Sequence, residues 1–479
     1  VLLLLLPVRA ATAQDGSQSL PEGQRSPQTL PEGQGSPQSS PEGQSLPQRS
    51  PQSSKGESGS GEILTLEQAI ALARRANPEV AAAEARARAA AAGVDEALAG
   101  RLPALDLAAG IQRTNHPVQV FSHLLAQEKF SEDNFRIEEL NRPDPLNDWN
   151  TRLTLVQPLW TGGRLRAARD GAQAQAQGAE AGRDRTLQEV THQAIESYTA
   201  AVVAHYQLQV ARDALAAAEA NVGLTEALWQ GGLVVESDAL QAQVHESAVR
   251  EWVIRAESGV AVSRATLNHL LGRNLDTPMT LATSLEIAGD TTPDLEPLLS
   301  AAQERPDLAA AQAREEALAS AIRGELSSRW PQLAFSSSLD SDDADFFSPD
   351  GLHWTVGVGL RLRLFDGGAG RARQLRAQAQ LEEAQAQRQR LASAIGLEVR
   401  SARQEISAAG QRLRQAEASI HLAERSRTLV EDRYKEGLVR LPELLDAETA
   451  LTEARLRDVA ARRDLLLAQA TLRLATGSL

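Results

Sequence analysis

The 479-residue sequence predicts a mostly α-helical chain that contributes four β-strands to a transmembrane barrel shared between copies. Three observations carry that prediction. The spans between Pro158 and Pro278 and between Pro349 and Pro442 are free of proline and read as long helices. Short segments between the helices switch to the period of two that marks a strand. The arrangement of helix, strand, loop, strand, long helix, turn and helix then occurs twice.

Composition agrees. Aromatic residues are 3% of the chain, while Ala, Gln, Arg, Glu and Leu fill long stretches, the profile of long helices packed along narrow seams. The net charge of −14 excludes nucleic acid as a partner, because a duplex must be met by a positive surface. Zero cysteine removes disulfides, thiolate metal sites, thiol nucleophiles and the acylated cysteine of a lipoprotein anchor.

Residues 1–13 read as the remnant of a signal peptide, an apolar run followed by the small-x-small site Ala11-Thr12-Ala13. Residues 14–61 repeat Pro-Glu-Gly-Gln from Pro21, Pro31 and Pro41, and bury too little apolar surface to fold, so a disordered Pro/Gln/Gly/Ser-rich spacer is expected. No later run is apolar and long enough for a membrane helix, so any crossing must use strands.

The first repeat spans 62–288 and the second 289–479. Asn77-Pro78 and Arg101-Leu102-Pro103 recur as Arg305-Pro306 and Arg329-Trp330-Pro331, with 25 residues between the prolines in both copies. Trp160-Thr161-Gly162-Gly163 recurs as Phe365-Asp366-Gly367-Gly368, Gly232-Leu233-Val234 as Gly437-Leu438-Val439, and Leu271-Gly272 as Thr476-Gly477. These last matches share an offset of 205, against 228 for the prolines, which places a 23-residue excess between Pro103 and Gly162.

In the first copy a helix is expected over about 66–100, capped by Thr65 with Gln68 three residues on. The long helices are expected over about 164–229 and 371–435, each ~100 Å at 1.5 Å per residue. The remaining helices, near 237–272, 297–328 and 442–475, are about half that length, so two of them end to end line one long helix.

The strand pattern is clearest from Trp354 to Phe365, where Trp354, Val356, Val358, Leu360, Leu362 and Leu364 alternate with Thr355, Gly357, Gly359, Arg361 and Arg363. Leu105 to Ile111, Asn150 to Leu155 and Leu333 to Leu339 alternate likewise. Lengths of about 9–12 residues suit a tilted crossing of the outer-membrane core. Trp149 and Trp354 open strands at the loop end, and Trp330, Trp160 and Phe365 sit where strands meet helices, the placement expected of two aromatic belts. Arg152, Arg361 and Arg363 fall on the opposite face and are expected to line the barrel lumen. Four strands cannot close a barrel, and lipid tolerates no open edge, so two copies would share eight strands or three would share twelve.

No catalytic constellation is present: the eight histidines are dispersed, and the Gly-Gly pairs are strand-to-helix turns outside any phosphate-loop pattern. Asp340, Asp342, Asp343 and Asp345 read as a solvated acidic loop. No metal, cofactor or enzymatic activity is expected.

Together the Pro158-to-Arg164 strand end, its duplicate, the paired helix-turn-helix and the Gly-Leu-Val turns resemble the TolC outer-membrane efflux protein family over about residues 63–479. The resemblance implies a homotrimer with a twelve-stranded barrel in the Gram-negative outer membrane and a helical tunnel across the periplasm. It implies a passive exit duct of a tripartite efflux pump or type I secretion system. A periplasmic adaptor (membrane fusion protein) would dock at the tip and link it to an inner-membrane transporter. The docking turns would be Gly232, Leu233 and Val234 with Gly437, Leu438, Val439 and Arg440, and the tip gate a cation ring of Glu443 and Asp446, with Asp238 as the first-copy equivalent. Two features depart from the family pattern: the added tail, and Arg440 and Pro442 where the first copy has Val235 and Ser237. The rival reading is a coiled-coil structural or adhesive cell-surface protein.

Overall fold

A computed structural model describes residues 63–282, 293–345 and 351–479. The signal remnant, the spacer and the boundary between the repeats at 288 and 289 lie outside the described residues.

Each copy builds the same series. The first opens with β1 (Ile63–Leu64), α1 (Leu66–Ala76) and α2 (Pro78–Ala99), then β2 (Ala104–Thr114). A connection holding α3 (Pro117–Ala126), a 3-10 turn at Glu132–Phe135 and α4 (Ile137–Asn141) leads to β3 (Leu146–Trp160). The long α5 (Arg164–Gln230), α6 (Glu236–Leu270) and β4 (Thr280–Leu281) complete the copy. The second supplies α7 (Leu295–Ala302), α8 (Pro306–Ser327), β5 (Gln332–Asp343), β6 (Leu352–Arg361), α9 (Ala369–Lys435) and α10 (Leu441–Thr476).

The two long helices are 67 residues each, one turn from the expected bounds at most. The glycines explain why the copies start and stop their helices alike: Gly162 and Gly367 ahead of the long helices, and Gly232 and Gly437, Gly272 and Gly477 after helix ends, all have positive φ, so each boundary is a left-handed position kept in both copies. Thr65 and Gln68 form the expected capping box, with Thr65 N–H donating to Gln68 Oε1 at 2.9 Å.

Two helices differ from the expectation. The helix over 66–100 is broken at Asn77, whose ψ of 130° is extended because the following Pro78 excludes the helical region. Asn77 restarts the chain by accepting from Glu79 N–H at 2.7 Å and donating to Leu270 O at 3.0 Å. The helix over 297–328 is broken in the same way at Arg305-Pro306. The two half-length helices of each copy meet end to end there. A Cβ on Gly272 would stand 2.5 Å from Ala76 O, and one on Gly477 would stand 3.0 Å from Arg305 Cγ.

Laterally, α5 packs against α2 and α8 along its strand-side half and against α6 and α10 along the other, while α9 packs against α8 and then α10. The helices therefore run α2-α5-α8-α9 near the strands and α6-α5-α10-α9 toward the tip. Alanine dominates the buried seams, with larger clusters at two levels. Near the helix midpoints, Val190, Tyr198, Val202, Leu267 and Leu271 form one cluster and Ile395, Val399, Ile406, Leu465 and Leu472 its counterpart. At the tip, Tyr434, Leu441, Leu444, Leu445 and Ala242 form a third. The parallel pair β1–β4 wraps the first of these, and the Tyr198 hydroxyl lies 3.0 Å from Leu64 O and 2.9 Å from Ala282 O. That small belt has no local sequence signal, since each strand has only two residues.

The four long strands form one antiparallel sheet in the order β2-β3-β5-β6. β6 ends at Arg361 and not at Phe365, because β5 offers no partner before Gln332, which faces Arg361. Arg363 and Phe365 thus lie in the passage to α9. The acidic stretch 340–343 is a correction too: Asp340, Asp342 and Asp343 belong to β5 and are not in a loop.

Candidate functional site: a two-faced sheet and a helical tip

The register assigns every strand residue to a face. Leu105, Leu107 and Ile111 lie opposite Leu155, Leu153 and Trp149. Leu153 lies opposite Leu339, which lies opposite Trp354, and Phe335 and Leu333 lie opposite Val358 and Leu360. Apolar residues from all four strands dominate this face, with Thr151, Ser337, Ser341 and Asp343 as polar members, and it is open to its surroundings: Leu107 is 72% and Trp354 75% exposed. A contiguous exposed patch of that kind needs an apolar neighbour.

The other face is polar. Arg152 lies between Ala108 and Asp340 and ion-pairs with Asp340, which is itself opposite His353. Asn150 donates to Asp342 Oδ1 at 2.8 Å, and Gln332 faces Arg361. Asp340 and Asp342, expected in a solvated loop, are therefore partners of this face's cationic and amide groups. Among the described residues no group of three or more metal-ligating side chains occurs.

Of the belt tryptophans, Trp149 is half-buried opposite Ile111 and Asp343, and Trp160 lies opposite Leu333 at the helix end. Trp330 precedes β5 and covers the first Gly-Gly turn, where a Cβ on Gly162 would stand 2.6 Å from its own Cβ. Trp160, Trp330 and Phe365 are exposed.

The opposite end of α5 and α9 carries the two hairpin turns. Each closes with the same pair of backbone bonds. Gly232 N–H donates to Trp229 O and Leu233 N–H to Leu228 O, and Gly437 N–H donates to Tyr434 O and Leu438 N–H to Arg433 O. These are left-handed C-terminal caps for which glycine has no steric cost. The hairpins are joined: the Thr225 and Tyr434 hydroxyls are 3.2 Å apart, and Asn221 Nδ2 donates to Glu448 at 2.8 Å.

Leu441, Leu444 and Leu445 turn into the tip core, so Glu443 and Asp446, three residues apart, are left on the exposed side of α10. Asp238 is half-buried in the first turn of α6. Val234 is half-buried, Val439 packs against the tip core, and Gly232, Leu233, Gly437, Leu438 and Arg440 are exposed, with Leu438 at 68%.

Sequence reasoning missed a buried charge at the junction of α8 and α10. Arg305 is 1% exposed; it donates to both Asp307 oxygens (3.0 and 2.6 Å), to Glu398 at 2.6 Å and to Ala475 O at 3.1 Å. Burial opposes ionisation of Asp307, but the bonds and charge of Arg305, with the charge of Arg185, outweigh it and hold that carboxyl below the usual range. The repeated proline, Pro78 and Pro306, marked the position; the partners of Arg305, 93 and 170 residues away, carry no local signal.

Comparison with known proteins follows this geometry. The profile of the family described as Outer membrane efflux protein matches residues 69–273 and 298–478. A comparison with curated proteins gives no match. Among solved structures, the fold is similar to VceC, an outer membrane protein from Vibrio cholerae, at 21% identity and a TM-score of 0.71, over 86% of this chain and 96% of that one. It is similar to the Campylobacter jejuni CmeC outer membrane channel at 17% identity and a TM-score of 0.74, over 86% and 85%. The Neisseria gonorrhoeae MtrE outer membrane channel in its open state gives 17%, 0.71, 86% and 88%. With both repeats matched, the chain belongs to the outer membrane efflux protein family: it is an outer-membrane efflux channel whose helices form a tunnel on the periplasmic side.

Proposed function

We propose that three copies form the working duct, sharing one twelve-stranded barrel in the outer membrane above a helical tunnel. The observation that carries this reading is the sheet itself. Its outer strands β2 and β6 each have one partner in the chain, and one of its faces is apolar and exposed. Lipid accepts such a face only when no strand edge is left open, so neighbouring copies must supply the missing partners. Trp149 and Trp354, with Trp160, Trp330 and Phe365, then form the belts at the two membrane surfaces. Arg152 and Arg361 face the lumen, with Arg363 at its periplasmic rim. Three copies are favoured over two because an eight-stranded interior is filled by its own side chains.

The duct is passive and has no chemistry of its own. It serves a tripartite pump or type I secretion system by docking a periplasmic adaptor, and through it an inner-membrane transporter. The exposed Leu233, Val235 and Leu438 support this reading, since apolar side chains at a hairpin tip are partner-binding surface. The docking turns are Gly232 to Val234 and Gly437 to Arg440. Glu443, Asp446 and the lesser Asp238 act as the tip gate, where copies around a narrow axis favour cations. A coiled-coil surface protein or adhesin is not favoured, because the family match spans both repeats.

Two experiments test the proposal. The detergent-corrected mass of the extracted species should equal three protomers, and a dimer would remove the twelve-stranded barrel. In bilayer recordings, Glu443→Ala with Asp446→Ala should weaken cation selectivity and block by divalent cations; unchanged selectivity would take both residues out of the pore.

A further inference from the structure

The 23-residue excess of the first copy is not a slack loop. Between β2 and β3 it folds into α3, the 3-10 turn and α4 with a small core of its own. Phe121 packs edge-on against Phe130 at 4.9 Å and Phe130 against Phe135 at 5.1 Å, and Val120 is buried. The end of α3 is then pinned to the sheet. Gln127, 1% exposed, donates to Asn147 O and Asp148 Oδ1, both at 2.9 Å. His123 Nδ1 is 2.9 Å from the other oxygen of Asp148, which is buried, and His353 Nε2 is 2.7 Å from Ala126 O. Lys129 reaches Asp343 at 2.7 Å at the end of β5.

The side of the sheet decides what this means. Asp148 lies two residues from Asn150 and four from Arg152, and His353 lies opposite Asp340, so both belong to the polar face, while Asp343, the last residue of β5, lies opposite Trp149 at the strand end. The segment starts from the β2–β3 connection and reaches β6, crossing two strand spacings of ~4.8 Å over that face. We propose that residues 115–145 are an inward-folded cap that narrows the external mouth of the duct and limits the size of what passes. This rests on the reading of the polar face as the lumen. Twelve strands tilted by ~40° enclose a mouth about 24 Å across, backbone to backbone. Three helices ~10 Å wide would occupy at least about half of that cross-section.

The chain has no cysteine, so one introduced thiol reports alone. Thr154 is on the polar face, opposite Asp106 and Ser338 and deeper than Asp148. Intact cells carrying Thr154→Cys would be treated from outside with a small charged maleimide and with a bulky polyethylene-glycol maleimide. The small reagent is expected to label and the bulky one to be excluded. Adding His123→Ala, Gln127→Ala and Lys129→Ala, all on the cap side, should abolish that discrimination, and Gln127→Ala alone should weaken it. Labelling depends on entry from outside, so the state of the periplasmic tip does not mask the result. Equal labelling by both reagents with the cap intact would overturn the cap and leave the duct standing, as would discrimination that survives both sets of cap substitutions. Failure of even the small reagent to label would instead sink the lumen reading, and the cap with it.

Discussion

Arg305→Ala should be among the most damaging single substitutions outside the membrane, and its cost follows from what it leaves behind. The guanidinium is buried, grips Asp307 with two bonds and ties α8 to Glu398 on α9 and to the Ala475 carbonyl near the end of α10. Removing one partner of a buried pair costs roughly 3–5 kcal/mol. Two features reduce that figure. Asp307 retains Arg185 at 3.9 Å, and Glu398 is half-exposed, so its arm counts as a surface pair of about 0–1 kcal/mol. The unpaired Ala475 carbonyl adds ~1 kcal/mol. The balance is a loss of about 3 kcal/mol per protomer, a fall of several degrees in the melting temperature of a chain this long.

The assay is loss of helical circular dichroism on heating the detergent-purified protein at pH 7. Arg212→Ala is the control, since its pair with Glu257 is exposed on both sides and should matter by under ~1 kcal/mol. The pH dependence carries its own sign. Asp307 has its folded-state carboxyl held low, so its contribution is complete above the ordinary aspartate value near 3.9 and is lost as pH falls through the lower folded-state value. The gap between wild type and Arg305→Ala should therefore be wide at neutral pH and close in strong acid. A gap no larger than that of Arg212→Ala, or one that persists unchanged in strong acid, would refute the reasoning.

Two further predictions use the same preparation. Gly162→Ala should cost more than Gly367→Ala: both have positive φ, a strain of about 1–2 kcal/mol for alanine. Only at Gly162 does the new Cβ also meet Trp330 Cβ and Ser327 O within 2.7 Å, and equal losses would show that this turn yields freely. His192, near Thr471, has its imidazole pushed below the usual range by burial and by Arg185, against the pull of Glu196. Its contribution is complete above about pH 6.5 and declines as pH falls below that. His192→Gln should flatten the stability profile between neutral pH and pH 5, and an unchanged profile would exclude the residue as its source.

What could be read in the sequence was whatever local chemistry dictates. The long helices follow from proline-free spans closed by glycine, and the faces of the sheet follow from alternation that no tertiary contact needs to correct. The break at Asn77 was also legible, because a residue before proline leaves the helical region, yet the continuous apolar pattern on both sides hid it. Other features were written only in distance. The β1–β4 belt joins Leu64 to Leu281, and Arg305 meets Glu398 on another helix. Phe121, Phe130 and Phe135 carried no local signal either: they form the core of the connection between β2 and β3, while Trp149 and Trp160 belong to the sheet. Composition counts aromatics but does not say which of two adjacent structures they serve.

The duplication itself predicts how copies meet. In every layer one edge comes from the first copy and the other from the second: β2 and β6 in the sheet, α2 and α9 above, α6 and α9 toward the tip. Exposed large apolar side chains follow the edges. Leu240, Val244, Ile254 and Val262 lie on α6 and Leu375, Leu397, Leu422 and Leu429 on α9, whereas among the described residues α8 and α10 expose none. A first-copy edge meeting a second-copy edge would be a head-to-tail contact, the kind that makes a ring when its rotation closes. Within one chain the seam between copies places Asn221 of α5 against Glu448 of α10. Shifted by the 205-residue offset, the equivalent contact between chains would pair Ser426 of α9 with Gln243 of α6. Ser426→Cys with Gln243→Cys in this cysteine-free chain should give, on mild oxidation in membranes, a ladder on denaturing gels that stops at three chains. A ladder that stops at two would refute the trimer. Absence of any cross-link at these positions, with efficient cross-linking at pairs one helical turn away, would show that the seam inside the chain is not the template for the seam between chains.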